Sequence, residues 1–172
     1  FTLDAGATLT GTGLFQLTNN VLTITTALSS PQTFELDGGT LAITNGNSFN
    51  IGSGGIFTWN AGQITGAGST NIASGGVLNI FGNETAVLFS TTLNNAGTIN
   101  LTSGSNNFEL DNGAVIQNNS GGVFNLQDNG SAFANFGGSF LNNAGAVLLK
   151  SISVISDFTL PFTNAGIVEV QN

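Results

Sequence analysis

Glu35 and Asp37, and again Glu109 and Asp111, are the residues of this chain whose types and spacing could do chemistry. Two residues apart on a strand, the side chains of each pair leave one outward face, close enough for general acid–base work or for a calcium site. The surroundings argue against both. Asp37 and Asp111 sit where turns are expected, and aspartate is common there for local hydrogen bonding. The chain has no Arg or His and a single Lys, so nothing is at hand to stabilise a developing carbanion or oxyanion, and no calcium-binding nonapeptide repeat is present. No catalytic, cofactor-binding or metal-binding residue is therefore assigned, no cofactor is expected, and the chain reads as a non-enzyme.

The remaining candidates have plain structural readings. Trp59 alternates with Phe57 and is expected inward, although an exposed Trp59 would be a sugar-stacking platform. Lys150 is expected on the outer face, solvated; a crosslink to one of the many Asn residues is the sharper alternative. Asn83-Glu84-Thr85, Asn100-Leu101-Thr102, Asn118-Asn119-Ser120 and Asn129-Gly130-Ser131 match the glycosylation sequon, as an Asn-, Ser- and Thr-rich chain does by chance. Thr8/Thr10/Thr12 and Thr23/Thr25 have the spacing of an ice-ordering hydroxyl array but do not recur down the chain.

Composition narrows the partners. One basic residue and a net charge of −8 give no electrostatic footprint for phosphate, so neither nucleic acid nor an anionic membrane surface is expected. No apolar run is long enough for a membrane-spanning helix. With 40% hydrophobic residues the chain should fold, while only 6% are charged, leaving Asn, Thr, Ser and Gly to fill its polar positions. No Cys is present, which fits a cytoplasmic protein or an exported bacterial surface protein; the low charge and the Asn/Thr/Gly richness favour an extracellular or cell-surface location.

The elements that must carry these residues repeat. Asn94-Asn95-Ala96-Gly97-Thr98-Ile99-Asn100-Leu101 is a turn followed by a strand, and its layout returns behind Gly76, Gly122, Gly145 and Gly166. Gly55, Gly76, Gly97, Gly122, Gly145 and Gly166 step by 21–25 residues, the length of one coil of a parallel β-solenoid. Gly13 and Gly39 are taken as earlier markers, and the short step from Gly39 to Gly55 reads as a dropped strand. The F-x-L-D-x-G form at Phe1, Phe34 and Phe108 supplies a second strand and corner, and segments such as Ala86–Phe89 and Ile152–Ile155 a third face. Helical periodicity is absent. The expectation is one all-β domain over 1–172, a right-handed parallel β-helix of seven or eight coils, on the order of 35 Å long.

Alternation places Leu41/Ile43, Phe57/Trp59, Leu78/Ile80, Ile99/Leu101, Phe124/Leu126, Val147/Leu149 and Val168/Val170 inward. Ala42, Thr58, Asn79, Asn100, Asn125, Leu148 and Glu169 then point outward. Asn60, Asn95, Asn143 and Asn164, each in an Asn-Ala-Gly corner, are expected to form amide ladders between coils. Neither end shows a cap. Phe1 opens in mid-repeat and Ile167–Val170 is a full apolar strand, so the chain reads as a segment of a longer array or as a subunit whose end coils stack on other copies.

Asn95-Ala96-Gly97-Thr98-Ile99-Asn100-Leu101 and Phe162-Thr163-Asn164-Ala165-Gly166-Ile167-Val168-Glu169-Val170 resemble the β-strand-repeat regions of large bacterial surface proteins, both autotransporter-passenger-like and filamentous-adhesin-like. The resemblance covers most of the chain and implies a secreted parallel β-helix with a scaffold or adhesive role; it transfers no functional residue. The function expected is a fibre, stalk or adhesin shaft, with self-association through end coils and cell-surface or glycan ligands as partners. The competing expectation is a carbohydrate-binding or carbohydrate-cleaving β-helix, which needs the four acids to converge on an exposed Trp59.

Overall fold

A computed structural model describes the chain apart from residues 31, 82–84, 103–107, 128–129, 132, 153–155, 158 and 172. Most of the strand expected at Ile152–Ile155 and the sequons of Asn83 and Asn129 lie outside the described residues. All assigned elements are β-strands, and every pairing between them is parallel. The chain is a parallel β-solenoid with three faces to a coil.

The first face stacks Leu14–Leu17, the first half of Thr33–Ile43, the first half of Ile56–Thr65, Val77–Ile80, Thr98–Leu101, Val123–Leu126, Val147–Lys150 and Ile167–Val170. The second stacks Thr2–Leu3, Val21–Ile24, the later halves of the two long strands, Ala86–Phe89, Phe108–Asp111 and Ala134–Phe136. The third stacks Ala27–Ser29, Ser48–Ile51, Ser69–Ile72, Thr92–Asn95, Val115–Asn118, Ser139–Asn142 and Phe162–Asn164.

The pairing corrects the register expected for several coils. The residue leading each first-face strand runs Gly13, Gln32, Gly55, Gly76, Gly97, Gly122, Ala146, Gly166, so the steps are 19, 23, 21, 21, 25, 24 and 20 residues. No strand is dropped before Gly55, because Gly39 opens a second-face strand and Gln32 holds the leading place. Gly145 aligns with Gly121, one residue before that place, and the shift inverts the seventh coil. Leu148 and Lys150 therefore point inward, while Val147 and Leu149 face out. The three F-x-L-D segments are likewise not equivalent. Phe34 lies on the first face over Phe57, Phe108 on the second over Ala86, and Leu3 on the second beside Ile24. Ala86–Phe89 shares its face with Phe108–Asp111, and the true third face is built of short polar strands that read in sequence as corners.

Coil length varies partly because two kinds of corner join the third face to the first. Ala96-Gly97 turns in two residues. Corners such as Ser120-Gly121-Gly122 are longer and hold a glycine at positive φ, 82° at Gly121 and 80° at Gly145, where an L side chain is strained. Gly97 has an ordinary φ but no spare volume. A Cβ there would lie 2.4 Å from the carbonyl oxygens of both Ala73 and Gly76 in the coil beside it.

The inward residues form columns along the rod. Phe34, Phe57, Leu78, Ile99 and Phe124 are fully buried in one, Leu36, Trp59, Ile80 and Leu101 in the next. Rings touch along the rod, with Phe34 edge-on to Phe57 of the next coil at 5.1 Å and Trp59 to Phe108 two coils on at 5.5 Å, where the coil between carries only Ala86 at that place. Each fully buried Leu, Ile or Phe contributes about 1.5–3 kcal/mol, so a chain with few charges has ample apolar stabilisation. In the last coil Val168 and Val170 keep the inward register but are 51% and 69% exposed, because no coil covers them.

One inward column changes chemistry part-way. Ile51 and Ile72 are followed by Asn95, Asn118, Asn142 and Asn164. Asn95 Nδ2 donates to Asn118 Oδ1 (2.8 Å), Asn118 Nδ2 to Asn142 Oδ1 (2.9 Å), and Asn142 Nδ2 to Asn164 Oδ1 (2.7 Å). The same nitrogens also reach the carbonyls of Val123, Val147 and Ile167, and the Gly97 amide satisfies Asn95 Oδ1 where the ladder begins. This is the amide ladder expected at the corners, with Asn142 in place of Asn143 and Asn118 added. Asn60 is not part of it and donates to Glu35 instead; Asn143 bonds to Asn119 in a separate pair.

Three stability measurements check this packing by chemical denaturation. Gly97→Ala should lose about 1–3 kcal/mol through overpacking against the neighbouring corner. Asn118→Leu should lose about 2 kcal/mol or more, because it strands buried amide groups on both sides. Thr70, fully buried between Phe49 and Leu93 with no partner for its hydroxyl, should gain about 1 kcal/mol as Thr70→Val.

Candidate functional site

The structure keeps the two acid pairs apart. Glu35 and Asp37 belong to the long strand Thr33–Ile43, whereas Glu109 and Asp111 lie on the second face, three coils further along. Gln16 Nε2 donates to Glu35 Oε1 at 2.7 Å and to Asp37 Oδ2 at 3.4 Å, and Asn60 Nδ2 reaches Glu35 at 3.3 Å. The first pair is thus held by neutral amides in a surface network. Glu109 and Asp111 are half-buried, and Asp111 Oδ1 has no hydrogen-bond partner. Partial desolvation pushes both carboxyls above their usual range, and the negative charge of Asp111 raises Glu109 further. Among the described residues no three His, Cys, Asp or Glu side chains gather as a metal site.

Trp59 is fully buried, and its Nε1 donates to the carbonyl of Gly62 at 3.3 Å. The convergence of four acids on an exposed Trp59 does not occur. Lys150 is only 8% exposed and faces inward in the column of Leu101, Leu126 and Val170, contrary to the solvated position expected of it. The one-residue shift before Val147 is the cause. Asn118 is fully buried inside the rod, which closes its sequon to modification in the folded chain.

Two further amide ladders run outside the rod. On the first face Asn100 Nδ2 donates to Asn79 Oδ1 at 2.9 Å and Asn125 to Asn100 at 3.4 Å. That ladder stops where Leu149 takes the next place, leaving Asn125 Oδ1 without a partner. On the third face Asn71 Nδ2 donates to Asn50 Oδ1 at 2.7 Å and Asn94 Nδ2 to Asn71 Oδ1 at 2.9 Å. Beside the second ladder stand Ser48, Ser69 and Thr92, in register on three successive coils.

These rows form the floor of an open groove of about 540 Å³, walled by the corners at Asn45–Asn47 and Ala67–Gly68 and reaching Gln117 on a fourth coil. No lining residue is charged or aromatic. Sequence reasoning missed this surface, although Ser48-x-Asn50, Ser69-x-Asn71 and Thr92-x-Asn94 return at coil spacing and would have revealed it.

The fold defines a three-faced parallel β-solenoid whose polar surface is built of amides and hydroxyls. No protein-family model, curated protein or solved structure matches the chain.

The raised carboxyls set a pH dependence. A folded pKa above the unfolded one means that the native state holds its proton more tightly, so this contribution favours folding in acid. It declines as pH rises from the unfolded carboxyl range through the raised folded values of Glu109 and Asp111. Glu109→Gln should therefore raise the unfolding midpoint at pH 7 and leave it nearly unchanged at about pH 3, where both states are protonated. Thermal melts of the two proteins across that range read the difference directly.

Proposed function

We propose that the chain is an extracellular structural β-solenoid that serves as a length of fibre, stalk or adhesin shaft. The observation that carries this reading is the unbroken run of columns from coil to coil, in a molecule whose acids are dispersed and whose Trp59 is buried. Such a rod is extended by adding coils. The uncovered strand Ile167–Val170 offers inward-register Val168 and Val170 and a free hydrogen-bonding edge, on which a further coil can add from this chain or from another copy. The resemblance of the repeats to those of bacterial surface β-helices supports a cell-surface setting, and the lack of basic charge disfavours nucleic acid as a partner.

Negative-stain microscopy and sedimentation of the 172-residue chain test the self-stacking form of this role. Rods or filaments longer than one copy are expected, with a repeat of about 4.8 Å along the axis in diffraction. Val168→Lys with Val170→Glu should abolish them while the far-UV spectrum stays that of a β-protein. Monodisperse single copies at high concentration, unchanged by these substitutions, would contradict self-stacking.

A further inference from the structure

The groove on the third face has a chemistry that the shaft role does not use. Its floor is two parallel rows, hydroxyls at Ser48, Ser69 and Thr92 and amides at Asn71 and Asn94, repeating from one strand to the next. Adjacent strands lie about 4.8 Å apart, so the floor spans roughly 15 Å along the rod from Ser48 to Gln117. In the ladder Asn71 spends one N–H on Asn50 and accepts one from Asn94. A primary amide has two N–H donors and two acceptor lone pairs, so each rung keeps hydrogen-bonding capacity for a ligand. The ladder also fixes the side chains in advance, which lowers the entropy lost when a ligand binds.

We infer that this groove binds a neutral, polyhydroxylated chain, an uncharged oligosaccharide lying along the rod axis. The lack of charge removes the attraction an anionic or cationic ligand would need. With no aromatic residue and Ala67 as its one aliphatic side chain, the lining cannot hold a flat hydrophobic molecule, since pockets for such ligands are mainly apolar. Alternating donors and acceptors on a fixed spacing match a ligand carrying an oxygen on every carbon and several free hydroxyls on each ring. Without ring stacking the affinity is modest. This site is separate from Glu35, Asp37, Glu109, Asp111 and Trp59, and it does not depend on the shaft reading.

The test is a nuclear magnetic resonance titration of the whole chain with cellohexaose and maltohexaose, with oligogalacturonate as the charged control. Binding by either neutral oligosaccharide should shift the side-chain amide signals of Asn71 and Asn94. The paired substitution Asn71→Ala with Asn94→Ala should weaken it about tenfold or more, as loss of two or more hydrogen bonds implies. Ser48→Tyr should block the groove and leave the Asn71–Asn94 rung in place, although it removes the hydrogen bond that Ser48 Oγ accepts from Asn50 Nδ2, and it decides the matter if the paired variant is poorly folded. Asn100→Ala, on another face, should leave binding unchanged. No shift at about 10 mM of either neutral oligosaccharide, shifts confined to another face, equal binding of the charged control, or binding indifferent to Ser48→Tyr would each overturn the assignment.

Discussion

Every feature of this molecule depends on one constraint: each coil must lay its strands on those of the coil before it, at hydrogen-bonding distance and in parallel register. That requirement leaves no room for a Cβ at the tight corner of Gly97, and it brings like residues over like. Once apolar residues stack on apolar residues, the core is a set of columns. Once asparagine stacks on asparagine, a donor of one coil meets an acceptor of the next. The chain is thus stabilised by apolar burial and neutral hydrogen bonds, with ion pairs playing little part in a sequence holding one basic residue.

The inward ladder shows how a buried polar group is tolerated. Asn118 is fully buried, yet its nitrogen has two acceptors and its oxygen a donor, so it carries no unmet desolvation cost. The same logic marks the faults. Thr70 interrupts an apolar column without a partner, and Asn125 ends its ladder against Leu149 with an oxygen unsatisfied. A periodic structure makes such positions easy to identify, since their neighbours along the column show what would fit.

Much of this was legible in the sequence. A strand of period two behind a recurring glycine, at steps of 21–25 residues, specifies stacked coils, and Phe57/Trp59, Leu78/Ile80 and Ile99/Leu101 point inward as alternation demands. The failures have a common physical origin. Coil position is fixed by pairing with the neighbour, not by any single residue, so Gln32 and Ala146 can hold the place of the leading glycine while Gly39 and Gly145 serve elsewhere. One residue of slip exchanges the two faces of a strand, which is why Leu148 and Lys150 are buried. The third face was expected but given to the wrong strands, because its true strands, such as Thr92-Leu93-Asn94-Asn95, carry only one apolar residue and look like turns. Their asparagines are buried or half-buried because a ladder satisfies them, a property of the stack that no single coil displays.

Exchange of the side-chain amide protons of Asn95, Asn118 and Asn142, followed by nuclear magnetic resonance, measures that stack most directly. Coil stacking predicts slow exchange at all three, with through-space contacts from Asn95 to Asn118 and from Asn118 to Asn142. Exchange as fast as that of a free asparagine amide, or contacts absent between successive rungs, would contradict the ladder and the register on which the solenoid rests.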